Sequence, residues 1–144
     1  IVRADRGIER ILREGRGVDI AVFTVGAVKK ESLSLNLGQL EPGEVDALLR
    51  DAVGDACSRF YTRAGTVARA AIDERTVGIR REELRSRPVR VLVAGGRTKT
   101  AALETALHMG LATHLVVDHD LALALLDRQG EAPPSRAGND AFDG

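Results

Sequence analysis

Tryptophan is absent from this 144-residue chain, and aromatic residues make up only 3% of it. Few stacking surfaces for bases or polysaccharide are therefore on offer, which argues against a binding platform of that kind. Net charge is missing as well, because 21 basic side chains cancel 21 acidic ones. A domain that holds DNA by itself more often carries a basic excess, so nucleic acid is not the natural partner of this segment. The single cysteine, Cys57, excludes an intrachain disulfide and favours a reducing, cytoplasmic setting. No signal peptide is legible, and no apolar run approaches the roughly 18 residues of a membrane span. The chain starts at Ile1 rather than Met, as a piece of a longer protein would.

What is present describes one globular domain, with 44% apolar and 29% charged residues. Ile8, Ile11 and Leu12 recur at helical spacing within residues 3–14, and "EGRG" stops that helix. "VDIAVFTVGAV" is nearly continuous in apolar residues, the pattern of one strand buried on both faces. A Ser- and Asn-containing loop follows, and then "EPGEVDALLRDA", a helix with Pro42 in its first turn. "VGDACSRFYT" reads as a second strand, "RAGT" as a turn, "RTVGI" as a further strand and "RREELRSR" as a short helix. "VRVLVAGG" is the clearest strand, short, branched and bounded by Pro88 and two glycines. "KTAALETALHMG" predicts a helix with a glycine stop, and "THLVVD" another buried strand. Asp118 is placed to cap the last helix, "HDLALALLDRQ". From Gly130 the chain has little to bury, which predicts a flexible tail over 130–144. Strands joined by helices of this length give an α/β fold with a right-handed βαβ unit in a parallel sheet.

The Gly-Gly-Lys corner is the first candidate site. In an open parallel sheet, ligands sit beyond the carboxyl ends of the strands. Gly95 and Gly96 stand at that end of the clearest strand, where they let an anion approach the backbone. The following helix offers unpaired N–H groups, Lys99 adds a full charge, and Thr98 or Thr100 adds a hydroxyl. The pattern suits phosphate, although it is neither a P-loop nor a dinucleotide fingerprint. A Gly-Gly turn also arises between strand and helix for steric reasons alone. The second candidate is Asp55, a carboxylate early in a strand, where it can accept from sugar hydroxyls or serve as a turn residue beside Gly54. Thr24 and Gly26 close the first strand on the same side. His108, His114 and His119 match no metal-site spacing, and Cys57 reads as a small core residue rather than a nucleophile.

Taken together, these blocks resemble the SorC-type sugar-binding domain of bacterial transcription regulators. The likeness runs from about residue 17 to 126 and rests on three motifs in order. They are "GD" before an aromatic-containing strand, Val77-Gly78-Ile79 with Glu82 to Leu84, and "AGG" followed by Lys99 three residues after its last glycine. The resemblance implies a Rossmann-like sandwich of the sugar-phosphate isomerase and glucosamine-phosphate deaminase type. It also implies a non-catalytic domain over residues 1–129 that binds a phosphorylated sugar, without cofactor, and forms homo-oligomers. On this likeness Lys99 contacts phosphate, with Gly95 and Gly96, and Asp55 faces the sugar. Asn36 stands where many members carry a ligand-contacting arginine. The family's helix-turn-helix and the first half of its effector domain, with its Gly/Ser/Thr-rich phosphate loop, are not in this sequence. The domain is thus a partial one, its DNA contacts lie elsewhere, and an exposed sheet edge is expected to favour self-association. An isomerase-type enzyme on the same fold and a purely structural oligomerisation piece are the alternatives. For the enzyme, Lys29, Lys30 and Glu31 offer no evident proton-transfer pair.

Overall fold

The computed structural model describes residues 5–130, so most of the tail expected over 130–144 lies outside the described residues. Asp5 caps helix α1 (Arg6–Arg16), its carboxylate accepting from the N–H groups of Gly7 and Ile8. Strands β1 (Ile20–Phe23) and β2 (Val25–Ala27) follow. Helix α2 (Pro42–Asp51) opens on Pro42, with Glu44 reaching back to the Glu41 N–H at 3.0 Å. Strands β3 (Gly54–Ala56) and β4 (Arg59–Tyr61) come next, then the short helices α3 (Ala70–Arg75) and α4 (Arg81–Arg85). Strand β5 (Val89–Ala94), helix α5 (Thr100–His108), strand β6 (His114–Val117) and helix α6 (His119–Gln129) complete the order.

Two three-stranded sheets result. One is parallel, ordered β1-β5-β6, and contains the β5–α5–β6 crossover that the sequence predicts. The other is antiparallel, ordered β2-β3-β4, and was not expected. It exists because two segments read as single strands are each divided. "VDIAVFTVGAV" breaks at Thr24, which sends β1 into the parallel sheet and β2 into the antiparallel one. "VGDACSRFYT" folds back on itself at Cys57 and Ser58, both with positive φ (53° and 62°), so β3 and β4 pair as a hairpin. Cys57 is therefore a half-buried turn residue and not a core one.

The antiparallel sheet separates two cores. Tyr61, Val25 and Ala56 face α5 and α6, packing with Leu92, Leu103, Leu111 and Leu121. The Tyr61 hydroxyl donates to the Ala102 carbonyl at 3.0 Å, and burial, then the charge of Asp55, pushes its pKa well up, which keeps it neutral. Phe60 points the other way, into a second core with Leu35, Leu48 and Ile72 beneath α2 and α3. Arg75 clamps α3 to α2 through two 2.6 Å bonds to the Glu44 carboxylate, which holds that carboxyl down to about 2.

The expected strand over "RTVGI" does not form, and Arg59 is the reason. Its guanidinium is 2% exposed and donates to the carbonyls of Asp73 (2.8 Å), Thr76 (3.3 Å), Gly78 (3.2 Å) and Ile79 (2.6 Å). It also lies 3.1 Å from the Asp73 carboxylate. Carbonyls turned onto one cation cannot serve a sheet ladder. The parallel sheet also departs from the expected burial on both faces. Along one face, Ile20 (59%), Val22 (69%), Val93 (41%) and Val116 (54%) are exposed, while Leu92 and Ala94 on the other face are buried. Removing the Arg59 side chain would take one donor from each of four carbonyls and the facing cation from the Asp73 carboxylate. Arg59→Leu is expected to lower unfolding free energy by about 3–5 kcal/mol, read by urea denaturation; a loss below about 1 kcal/mol would refute this role.

Candidate functional site

A cleft of about 650 Å³ opens beyond the ends of β1 and β5, between the β3–β4 turn and the start of α5. Its charged walls are Asp55, Lys99, Lys29 and Glu31, and its hydroxyls come from Thr24, Ser32, Ser34, Ser58 and Thr98. Two of the predicted site residues, Asp55 and Lys99, thus meet in one cavity although 44 positions separate them in the chain (99 minus 55).

Asp55 is held by backbone geometry first. It pairs across the sheet with Phe60 on one side and Gly26 on the other. A Cβ at Gly26 would lie 2.3 Å from the Asp55 Oδ1, so a glycine there is what allows the carboxylate to lie across β2. The turn then contributes, because the Ser58 N–H and the Ser34 hydroxyl lie close enough to the Asp55 carboxylate to favour its charged form. Burial pushes the Asp55 carboxyl above the ordinary aspartate range, opposed by those two donors and by the charge of Lys99. Lys99 ends the 3₁₀ turn Arg97–Lys99 that precedes α5, is half-buried, and makes no ion pair with a described residue. A partly desolvated ammonium beside a partly desolvated carboxylate, ringed by hydroxyls, can take a ligand that is anionic at one end and polyhydroxylated along its body.

The other predicted residues lie elsewhere. Gly95 and Gly96 do not line the cleft. The Gly96 N–H, with φ at 88°, donates instead to the Asp118 carboxylate at 2.6 Å, and a Cβ at Gly95 would sit 2.9 Å from that same oxygen. Asp118 also caps α6 through the Leu121 N–H at 2.8 Å, and the two N–H bonds hold its pKa low. The double glycine therefore admits an internal anion, Asp118. Asn36 also stays out of the cleft, its amide donating to the carbonyls of Lys30 (2.7 Å) and Ser32 (2.8 Å) and so fixing the loop that bears Ser34. Ser34 and Ser58, which hold Asp55, escaped the sequence reading, since a serine in a loop carries no spacing signal. Cys-Ser at a two-residue hairpin turn gives none either, because that turn is ordinarily announced by Asn-Gly.

Comparison with known proteins defines the class. The family model described as "Putative sugar-binding domain" matches residues 1–127, and the chain belongs to that family. It is 40% identical over 127 residues to the deoxyribonucleoside regulator of Bacillus subtilis, covering 88% of this chain and 41% of that protein. A transcriptional regulator from Streptococcus pneumoniae superimposes with a TM-score of 0.79 at 27% identity, over 90% of this chain and 50% of that one. The full-length sorbitol operon regulator SorC from Klebsiella pneumoniae shares the fold, with a TM-score of 0.73 at 24% identity over 86% of this chain and 41% of that one. The chain thus spans about half or less of the regulators it matches. The expected SorC-type kinship and the α/β fold with a parallel sheet are borne out.

The raised pKa of Asp55 has a measurable consequence. A native carboxyl that holds its proton more tightly than the unfolded chain costs stability once ionised. The cost is absent below the ordinary value of 3.8 and grows as pH rises from there through the folded-state value. Asp55→Asn is therefore expected to be more stable than the wild type at pH 7 and to lose that advantage near pH 4 and below. Urea unfolding at the two pH values checks it; an unchanged difference would contradict the assignment.

Proposed function

We propose that this domain is the effector-binding part of a transcription regulator and binds a phosphorylated sugar without turning it over. The observation that carries this reading is the meeting of Lys99 and Asp55 in one hydroxyl-lined cleft. Lys99 holds the phosphate, with Thr98 beside it, and the Asp55 carboxylate accepts hydrogen bonds from sugar hydroxyls. Gly95, Gly96 and Asn36 take part indirectly, by seating Asp118 at the start of α6 and by shaping the loop of Ser34. Support for a regulatory role comes from the regulator names of its relatives. In the whole protein, which would work in the cytoplasm, effector binding shifts the arrangement of a helix-turn-helix outside this chain by differential affinity for two states.

The test is thermal unfolding with a panel of phosphorylated sugars and their unphosphorylated counterparts. At one hundred times its dissociation constant a binder adds about 2.7 kcal/mol of stability. Lys99→Ala is expected to weaken binding by about 1.5–3 kcal/mol, a charge-assisted contact, and unchanged affinity would remove Lys99 from the site.

The domain is also proposed to self-associate, a reading supported by the apolar face of Ile20, Val22, Val93 and Val116. Val22→Lys with Val93→Lys is expected to shift the sedimentation profile towards monomer. A profile identical to the wild type would exclude this face.

A further inference from the structure

A second cavity, of about 400 Å³, lies at the far end of α5 from the cleft. Helix α5 runs from Thr100 to His108, so at 1.5 Å per residue about 13 Å separates its two ends. Lys99 stands just before one end, and His108 is the last residue of the other. Three elements build the second cavity: the turn after β4, the exposed side of α4, and the last turn of α5.

Its chemistry is one-sided. Arg63 comes from the turn, and Arg81 and Arg85 from α4, where they are four residues apart and share a helix face. His108 adds an imidazole, and Glu82 is the sole carboxylate among the described residues of the lining. Six other arginines (Arg10, Arg16, Arg59, Arg69, Arg75 and Arg128) lie within ion-pair distance of a carboxylate. Arg63, Arg81 and Arg85, like Arg50, Arg80 and Arg97 elsewhere, form no ion pair with a described residue. In a chain of net charge zero, gathering unneutralised guanidinia around one concavity is a local segregation of charge with a repulsive cost. An anion in the cavity relieves that cost.

The walls are also set before any ligand arrives. Thr62 and Thr66 close the turn through a 2.8 Å hydroxyl contact and a 3.0 Å backbone bond, and Gly65 donates to the Thr62 carbonyl at 2.9 Å. Arg81 Nη1 donates to the Gly65 carbonyl at 3.4 Å, joining α4 to the turn. Buried Thr105 and Leu111 form the floor. Preformed walls lower the ordering cost of binding, and guanidinium forks match the oxygens of a phosphoryl group in pairs.

We propose that this cavity is a second anion site, separate from the cleft, for a small molecule carrying more than one phosphoryl charge. The reading does not depend on what the cleft binds. Pyrophosphate is the probe, and the Lys99→Gln background removes the half-buried one of the two ammonium groups, Lys99 and Lys29, through which the cleft itself could take it. Calorimetric titration of Lys99→Gln at low ionic strength is expected to show saturable binding. Adding Arg63→Gln and Arg85→Gln, both exposed positions, is expected to weaken that binding at least tenfold. Absence of binding in the Lys99→Gln protein, or equal binding after the arginines are replaced, overturns the proposal. Amide shifts of the unsubstituted chain under pyrophosphate give a second reading: changes at Gly65, Arg85 and His108 support it. Changes confined to Ser58 and Lys99 overturn it.

Discussion

One buried guanidinium organises the half of the molecule that carries the cleft. Arg59 is a full charge almost without solvent, and such a charge is tolerated only when paired and saturated with acceptors. It collects four main-chain carbonyls and the Asp73 carboxylate, so the stretch from Asp73 to Ile79 wraps around it instead of extending. The same residue pairs with Ala56 at the end of the β3–β4 hairpin, directly after the Cys57–Ser58 turn. Two non-glycine residues at positive φ cost about 1–2 kcal/mol each. Anchoring on the Arg59 side of the turn is what offsets them, and the turn in exchange brings Ser58 close to the Asp55 carboxylate, where it favours the charged form.

Asp55 shows the opposite balance. It sits where burial works against its charge, with Ser58, Ser34 and Lys99 recovering only part of the loss. A carboxylate kept in that condition is a poor contributor to stability and a good hydrogen-bond acceptor, the usual trade of a binding site. Gly26 is its structural partner, because any side chain there would occupy the space of the Asp55 oxygen. The cleft is thus defined by a glycine in one strand, an aspartate in the next and a lysine at a helix entrance, brought together by two different sheets.

The double glycine after β5 solves a packing problem of its own. Asp118 bonds the Gly96 N–H and caps α6 with its other oxygen, so one side chain ties the end of β5 to the start of the last helix. This joint fixes the position of the turn that ends in Lys99. A glycine pair that reads as a phosphate cradle therefore seats an internal carboxylate instead. Helix α5 extends the same logic, carrying the cleft at one end and the arginine-lined cavity at the other.

Much of this was legible along the chain. The Pro88-bounded β5, the alanine-rich α5, the Asp118 cap and the βαβ order are local patterns, set by short-range sterics and hydrogen bonding that a sequence displays. Asp55 and Lys99 could be named because a carboxylate at a strand and a lysine at a helix entrance are conspicuous one at a time. Their meeting was decided only by tertiary structure. The break at Thr24 and the fold-back at Cys57–Ser58 have no turn signature, since the apolar run continues across one and no glycine marks the other. The irregular path around Arg59 is invisible for a deeper reason. Its cause is a side chain 14 to 20 residues away in sequence, and a buried charge claims whatever carbonyls the fold brings to it.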